Sequence, residues 1–192
     1  MTDVVRLILV SHAQTDAMAA PRFPADEPLN ATGHRQAQAV AALGLRDLGG
    51  QARQLVGPEQ RARQTAQLLG LAATTEPRLA DLDCGRWQGQ ALQGVPPEEL
   101  RVWLCDPAQA PHGGESIVNL IDRIAGWLES LESLDPLSES ASRTVAVTHP
   151  AVIRAAVLLA LDVGPKSFWR IDITPLSRTV MHFRGHRWTL RL

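Results

Sequence analysis

Val4-Val5-Arg6-Leu7-Ile8-Leu9-Val10, followed at once by Ser11-His12-Ala13-Gln14-Thr15, is the stretch on which the fold turns. A short run of branched apolar residues reads as a strand covered on both faces, since a half-solvated strand would alternate. It stops at a polar cluster that opens on Ser11 and His12. The pattern returns near the other end of the chain, where the apolar run 144–148 ends at His149 and Pro150 opens a helix over 151–161. Two buried strands, each ending at a histidine, are the frame into which the rest of the chain is read.

Working outward, Asn30 or Thr32 caps a helix that carries Ala37, Val40, Ala41 and Leu45 and stops near Gly49-Gly50. Leu55-Val56 forms a short strand, Gly57-Pro58 turns into a helix over 59–69, and 77–83 is extended. Pro96-Pro97 starts a helix with Leu100, Trp103 and Leu104, and Trp87 and Trp103 are core residues. Ser116 caps the most periodic helix, with Ile117, Leu120, Ile121, Ile124 and Leu128 on one face. A polar surface loop spans 135–142; Ile171–Ile173 and Val180–Phe183 read as strands, and Arg184-Gly185-His186 turns into a last strand ending at Leu192. Strands alternating with helices predict a three-layer α/β/α fold with a mainly parallel central sheet, built as one domain over 1–192. In such sheets ligands bind beyond the carboxyl ends of the strands, where His12 and His149 fall.

Composition narrows the function classes. The 192 residues are 45% hydrophobic and 20% charged, the balance of a packed globular chain, and the formal net charge is -1. That charge gives no general attraction to nucleic acid or to an anionic membrane, so an anion site must be local. No apolar run reaches membrane length, and residues 4–10 lack the small-residue cleavage site of a signal peptide; the expectation is a cytoplasmic protein. Positive charge is carried by arginine, Lys166 being the only lysine, and arginine suits bidentate phosphate contacts. Cys84 and Cys105 form no Cys-x-x-Cys pair or zinc spacing and read as free thiols. His34, His112, His182 and His186 read as surface residues, and neither a metal nor a cofactor is expected.

His12 and His149 in matching positions, Arg61 at the start of a helix, and Asp81 in a turn beside Gly85 supply a nucleophile, cationic clamps and a proton donor. Phosphoryl transfer through a covalent histidine needs these parts. Singly, each has a plainer reading: a structural histidine, an arginine paired with Glu59 or a neighbouring acidic side chain, a turn aspartate. Asp83 is the second choice for the acid, Glu115 borders the helix cap, and Thr15 contacts either phosphate or its own turn.

The ordered motifs resemble the histidine phosphatase superfamily, also called phosphoglycerate mutase-like. They are Leu9-Val10-Ser11-His12-Ala13-Gln14-Thr15, Pro28-Leu29-Asn30-Ala31-Thr32-Gly33 with Gln36-Ala37, and Arg61-Ala62-Arg63-Gln64-Thr65-Ala66. The segment from Leu79 through Asp81, Gly85 and Trp87 to Gly89, then Gly114-Glu115-Ser116, and finally Val147-Thr148-His149-Pro150-Ala151-Val152-Ile153-Arg154 complete the series. The resemblance implies that His12 is the phosphorylated nucleophile, that Arg61 and His149 hold the phosphoryl oxygens, and that Asp81 protonates the leaving oxygen. Such an acid should have a pKa raised by burial or by the incoming phosphate, giving an acidic or near-neutral optimum.

The chain departs from the family pattern at Ser11, where the family has arginine, at Ala13 and Pro150, where it has glycine, and at Met18. Losing one charged donor typically costs roughly 10²- to 10³-fold in rate. Arg22 is the first candidate to fill the vacancy and Arg86 the second, while Ser11 itself stays a candidate phosphate contact. The leading expectation is a metal-independent phosphatase acting through phosphohistidine on a small phosphorylated metabolite or a phosphoprotein. The alternatives are a silent phospho-ligand binder, favoured by Ser11, and a mutase, disfavoured because only 33 residues separate Asp81 from Glu115. Apolar residues near the carboxyl terminus suggest strand pairing in a homodimer.

Overall fold

The computed structural model describes residues 4–43, 52–132 and 143–191. Six strands make one sheet: β1 (Val5–Ser11), β2 (Arg53–Val56), β3 (Thr74–Thr75), β4 (Arg143–Thr148), β5 (Arg178–Arg184) and β6 (Arg187–Arg191). Their order is β3-β2-β4-β1-β5-β6. The pairs β3/β2, β2/β4 and β4/β1 are parallel, whereas β5 runs antiparallel to both β1 and β6. The mainly parallel sheet is as expected.

Strand pleating sorts the apolar residues into two cores. Leu7 and Leu9 of β1, with Ala146 of β4, face a cluster completed by α5 (Ile117–Glu132) and α6 (Pro150–Leu161). Ile8 and Val10, with Val145 and Val147, face the opposite way onto Ala62 and Ala66 of α3 (Gln60–Leu68). A short α1 (Asp16–Ala19) follows β1, α2 (Ala31–Ala42) lies against α3, and α4 is Pro97–Cys105. Helices thus cover both faces, which is why β1 and β4 are almost continuously apolar.

Boundaries follow local chemistry. Asn30 caps α2, its side chain accepting from Gly33 N at 2.8 Å. Gly33 is required there: a Cβ would run into the Gln14 backbone just beyond the His12 loop. Ser116 Oγ accepts from Asn119 N at the start of α5, whose buried face is Ile117, Leu120, Ile124, Trp127, Leu128 and Leu131. Pro150 occupies the first turn of α6, where its missing N–H is harmless to the helix.

Two expected elements are corrected. Residues Ile171–Ile173 are not a strand; they leave a 3-10 helix, Pro165–Arg170, and pack on the core without a neighbouring ladder. Alternating burial at Ile171, Asp172 and Ile173 imitates a strand, but strands need a partner edge. The extended 77–83 segment begins as a 3-10 turn, Pro77–Leu79, capped by Glu76. The expected helix end at Gly49-Gly50 and the loop 135–142 lie outside the described residues. Among the described residues, no helix is long and apolar enough to cross a membrane.

Candidate active site

The parallel register of β1 with β4 pairs Ser11 with Thr148, so the two strands end level and the next residues meet. His12 N donates to Thr148 O at 2.9 Å, and the His12 and His149 rings lie 5.2 Å apart, centroid to centroid. His12 is almost fully buried. Its Nδ1 lies 2.8 Å from Ala13 O; a carbonyl only accepts, so Nδ1 carries the proton and Nε2 keeps its lone pair. Burial, with His149 and Arg61 close by, holds His12 down to about 3, so the imidazole is neutral through the physiological range. The Ala13 amide is anchored in turn by Thr65 Oγ1 at 3.0 Å.

Arg61, 2% exposed, projects from the first turn of α3. Its Nη1 donates to Ala25 O at 2.6 Å and its Nη2 to Asp81 Oδ2 at 2.7 Å. The arginine therefore pairs with Asp81, not with Glu59. Asp81 Oδ1 also accepts from Leu82 N at 2.8 Å. Burial pushes the Asp81 carboxyl up, but His149, Arg61 and His12 outweigh it and hold the group at about 2. Burial therefore does not raise this carboxyl as expected, because Arg61 and His149 already face it; a rise through the incoming phosphate is untouched by this result.

His149 is fully buried and ends β4 as the N-cap of α6. Its Nε2 lies 2.6 Å from Glu59 Oε2, so Nε2 donates to the carboxylate, and its Nδ1 lies 3.6 Å from Asp81 Oδ2. Gly57 makes this approach feasible, since a Cβ there would sit 3.0 Å from His149 Nε2. Glu59 Oε1 accepts from Asp81 N at 3.0 Å, so one carboxylate fixes both the histidine and the acid-bearing turn. Burial raises the Glu59 carboxyl, yet the bond to His149 wins and holds it below the ordinary carboxylate range.

A pocket of about 180 Å³ opens at this end of the sheet. His12, Thr15, Arg61 and Asp81 line it, with Arg22 and Arg154 as further cations. Its other wall is apolar, made largely by Met18, Phe23, Trp103, Phe168 and Trp169. Thr15 is buried, and among the described residues its hydroxyl has no partner. Ser11 is likewise buried and its hydroxyl likewise unpaired, but it does not line the pocket, and neither does His149. Arg22 stands at the rim, 3.5 Å from Glu27. Arg86 turns away, donating to Pro111 O and to Glu99 Oε2 at 2.6 Å. Asp83 is a turn residue that accepts from Gly85 N and Gln88 Nε2, so it does not compete with Asp81.

Three contributors carried no assigned role in the sequence reading. Glu59 sits at the N-cap of α3 without capping it, and a glutamate in a place that favours Ser, Thr, Asp or Asn was the available signal. Arg123 of α5 donates to the carbonyls of Arg78 and Ala80 at 2.6 and 3.0 Å and is itself held by both Glu115 oxygens, so Glu115 acts through it on the Asp81 turn. Arg154 faces the pocket from α6. Two other readings resolve differently: Trp87 and Trp103 are buried as expected, whereas His112 is buried against them, not on the surface. His182 is a β5 residue and His186 a turn residue, and no group of three metal-ligating side chains forms among the described residues.

With this geometry in place, comparison with known proteins assigns the class. Residues 7–192 match the histidine phosphatase superfamily (branch 1), and the chain belongs to that family. It is 27% identical to phosphoserine phosphatase 1 of Hydrogenobacter thermophilus, over 96% of this chain and 89% of that one. It is 33% identical to a glucosyl-3-phosphoglycerate phosphatase of Mycobacterium tuberculosis, over 83% and 77% of the two chains. A solved mycobacterial glucosyl-3-phosphoglycerate phosphatase, complexed with VO3, superposes with a TM-score of 0.82 at 29% identity, covering 98% of each chain.

Proposed function

We propose that this chain, acting as one domain, hydrolyses small phosphomonoesters by passing the phosphoryl group from substrate to His12 Nε2 and then to water, without a metal ion. The observation that carries this reading is His12 itself: neutral, its Nδ1–H committed to Ala13 O, and bordering a pocket shared with Arg61 and Asp81. An imidazole fixed in that tautomer has one available lone pair, on Nε2.

In the first step the Nε2 lone pair attacks phosphorus, the P–O ester bond breaks, and the leaving oxygen takes a proton from the Asp81 carboxyl group. In the second, water attacks phosphorus, its proton passes to the Asp81 carboxylate, and the N–P bond breaks to free His12. Arg61 and the N-terminus of α6, where Ala151 borders the pocket, stabilise charge on the equatorial oxygens. His149 adds its influence from behind, through Asp81. Because Asp81 is ionised before substrate binds, the transferred proton enters with the substrate, which also draws Arg61 away from the carboxylate. The reactive complex holds one such proton, so activity falls above about pH 6, where a phosphomonoester loses its second proton.

The names of the relatives favour a small phosphorylated metabolite over a phosphoprotein. A silent phospho-ligand binder is the competing reading, and Ser11 in place of arginine, set away from the pocket wall, is the observation that favours it. Phosphate release from p-nitrophenyl phosphate with EDTA present, for wild type and His12→Ala across acid to mildly alkaline pH, separates the two. Turnover that survives EDTA and disappears in His12→Ala is expected. Equal rates in both proteins would remove His12 as the nucleophile.

A further inference from the structure

Arg154 is held in place without being neutralised. From α6 its Nε donates to Ile171 O at 2.8 Å, and the guanidinium carbon lies 5.7 Å from the ring centroids of both Phe168 and Trp169. Among the described residues neither Nη atom has a hydrogen-bond partner, and no carboxylate approaches within ion-pair distance. Burial weakens its hold on its proton, and the more distant Asp172 and Asp81 carboxylates partly restore it. An arginine stays charged under such pressure. A half-buried guanidinium at a pocket wall, with its two outer nitrogens uncommitted, is a fork shaped for an anion.

The position separates this cation from the phosphoryl site. Arg61 is committed to Asp81 and to Ala25 O, whereas Arg154 lies against Phe168 and Trp169 on the apolar wall. Arg22, the other pocket cation outside the His12 cluster, already faces Glu27.

We infer that Arg154 is a second anion site, which binds a carboxylate or a second phosphate on the leaving group while Phe168 and Trp169 pack against that group's hydrocarbon. The inference rests on the reading of His12 as phosphoryl acceptor, since that reading fixes which side of the pocket holds the leaving group. It assigns the substrate to phosphomonoesters with a second negative charge.

The test compares ω-carboxyalkyl phosphates and ω-phosphoalkyl phosphates of increasing length with alkyl phosphates of equal length. At one length, kcat/KM for a doubly anionic ester should exceed that of its alkyl partner by about tenfold to a hundredfold, the range for a charge-assisted contact. This ratio should fall close to one in Arg154→Ala, through KM, and be partly kept in Arg154→Lys. A ratio needs no assumption about how much folded variant is present. No preference at any length, or the same preference in wild type and Arg154→Ala, overturns the inference. The two arms tell a carboxylate from a phosphate. Calorimetric binding of the same esters to His12→Ala and to His12→Ala/Arg154→Ala decides the matter without turnover. Selective binding with no catalysis by the parent protein would end the phosphatase reading and leave the anion site standing.

Discussion

Glu59 organises the site without lining its pocket. Its two oxygens hold His149 Nε2 and the Asp81 amide, 90 and 22 positions away in sequence. Glu59→Gln keeps the size and removes the charge, leaving a buried histidine without its carboxylate. A charge-assisted bond of this kind contributes about 1.5–3 kcal/mol, so a fall in kcat of about tenfold or more is expected, with a displaced pH profile and a smaller change in KM. Steady-state kinetics across pH would refute this if kcat and its pH dependence were unchanged. Asp81 shows the limit of motif reading: its position follows from the motif, but its ionisation depends on Arg61 and His149, which the turn sequence does not contain.

Helix α5 is anchored by side chains that its sequence announces. Ile124 is fully buried in the larger core with Leu120, Leu128 and Leu131. Ile124→Ala removes three carbons from a site that the rigid sheet behind it cannot fill, and a loss of about 2–5 kcal/mol is expected from chemical denaturation. Activity below the unfolding transition should persist, because Arg123, on the same helix, still grips the Arg78 and Ala80 carbonyls. The 3.6-residue period made α5 legible, as the apolar runs did β1 and β4. Pattern reading failed at Ile171–Ile173, where the alternation comes from two isoleucines of an irregular segment packing on the core without a ladder partner.

For the molecule as a whole, the buried neutral imidazole ties stability to acidity. Unfolded, His12 binds a proton below about pH 6.5; folded, it refuses one until about pH 3. The folded-state pKa is depressed, so the unfolded chain binds more protons across that window and stability declines as pH falls through it. Asp81, held at about 2, reinforces the decline at the acid end. His12→Gln should flatten the fall in urea midpoint between about pH 6 and pH 4. Identical slopes for wild type and variant would contradict the buried neutral state.

The two buried strands that end at His12 and His149, the periodic helix α5, and the motif positions of Arg61 and Asp81 could be read from the chain. Each depends on short-range periodicity or on residues within one motif. Tertiary structure alone decided which charges meet: Arg61 with Asp81, Glu59 with His149, Glu115 with Arg123. It also decided which arginine enters the pocket unpaired, choosing Arg154 over Arg86, and which histidine, His112, is buried. The physical reason is that a pKa or a salt bridge depends on distances of a few ångströms between groups far apart in sequence. Those distances exist only once β1 and β4 have been laid in register and the helices packed upon them.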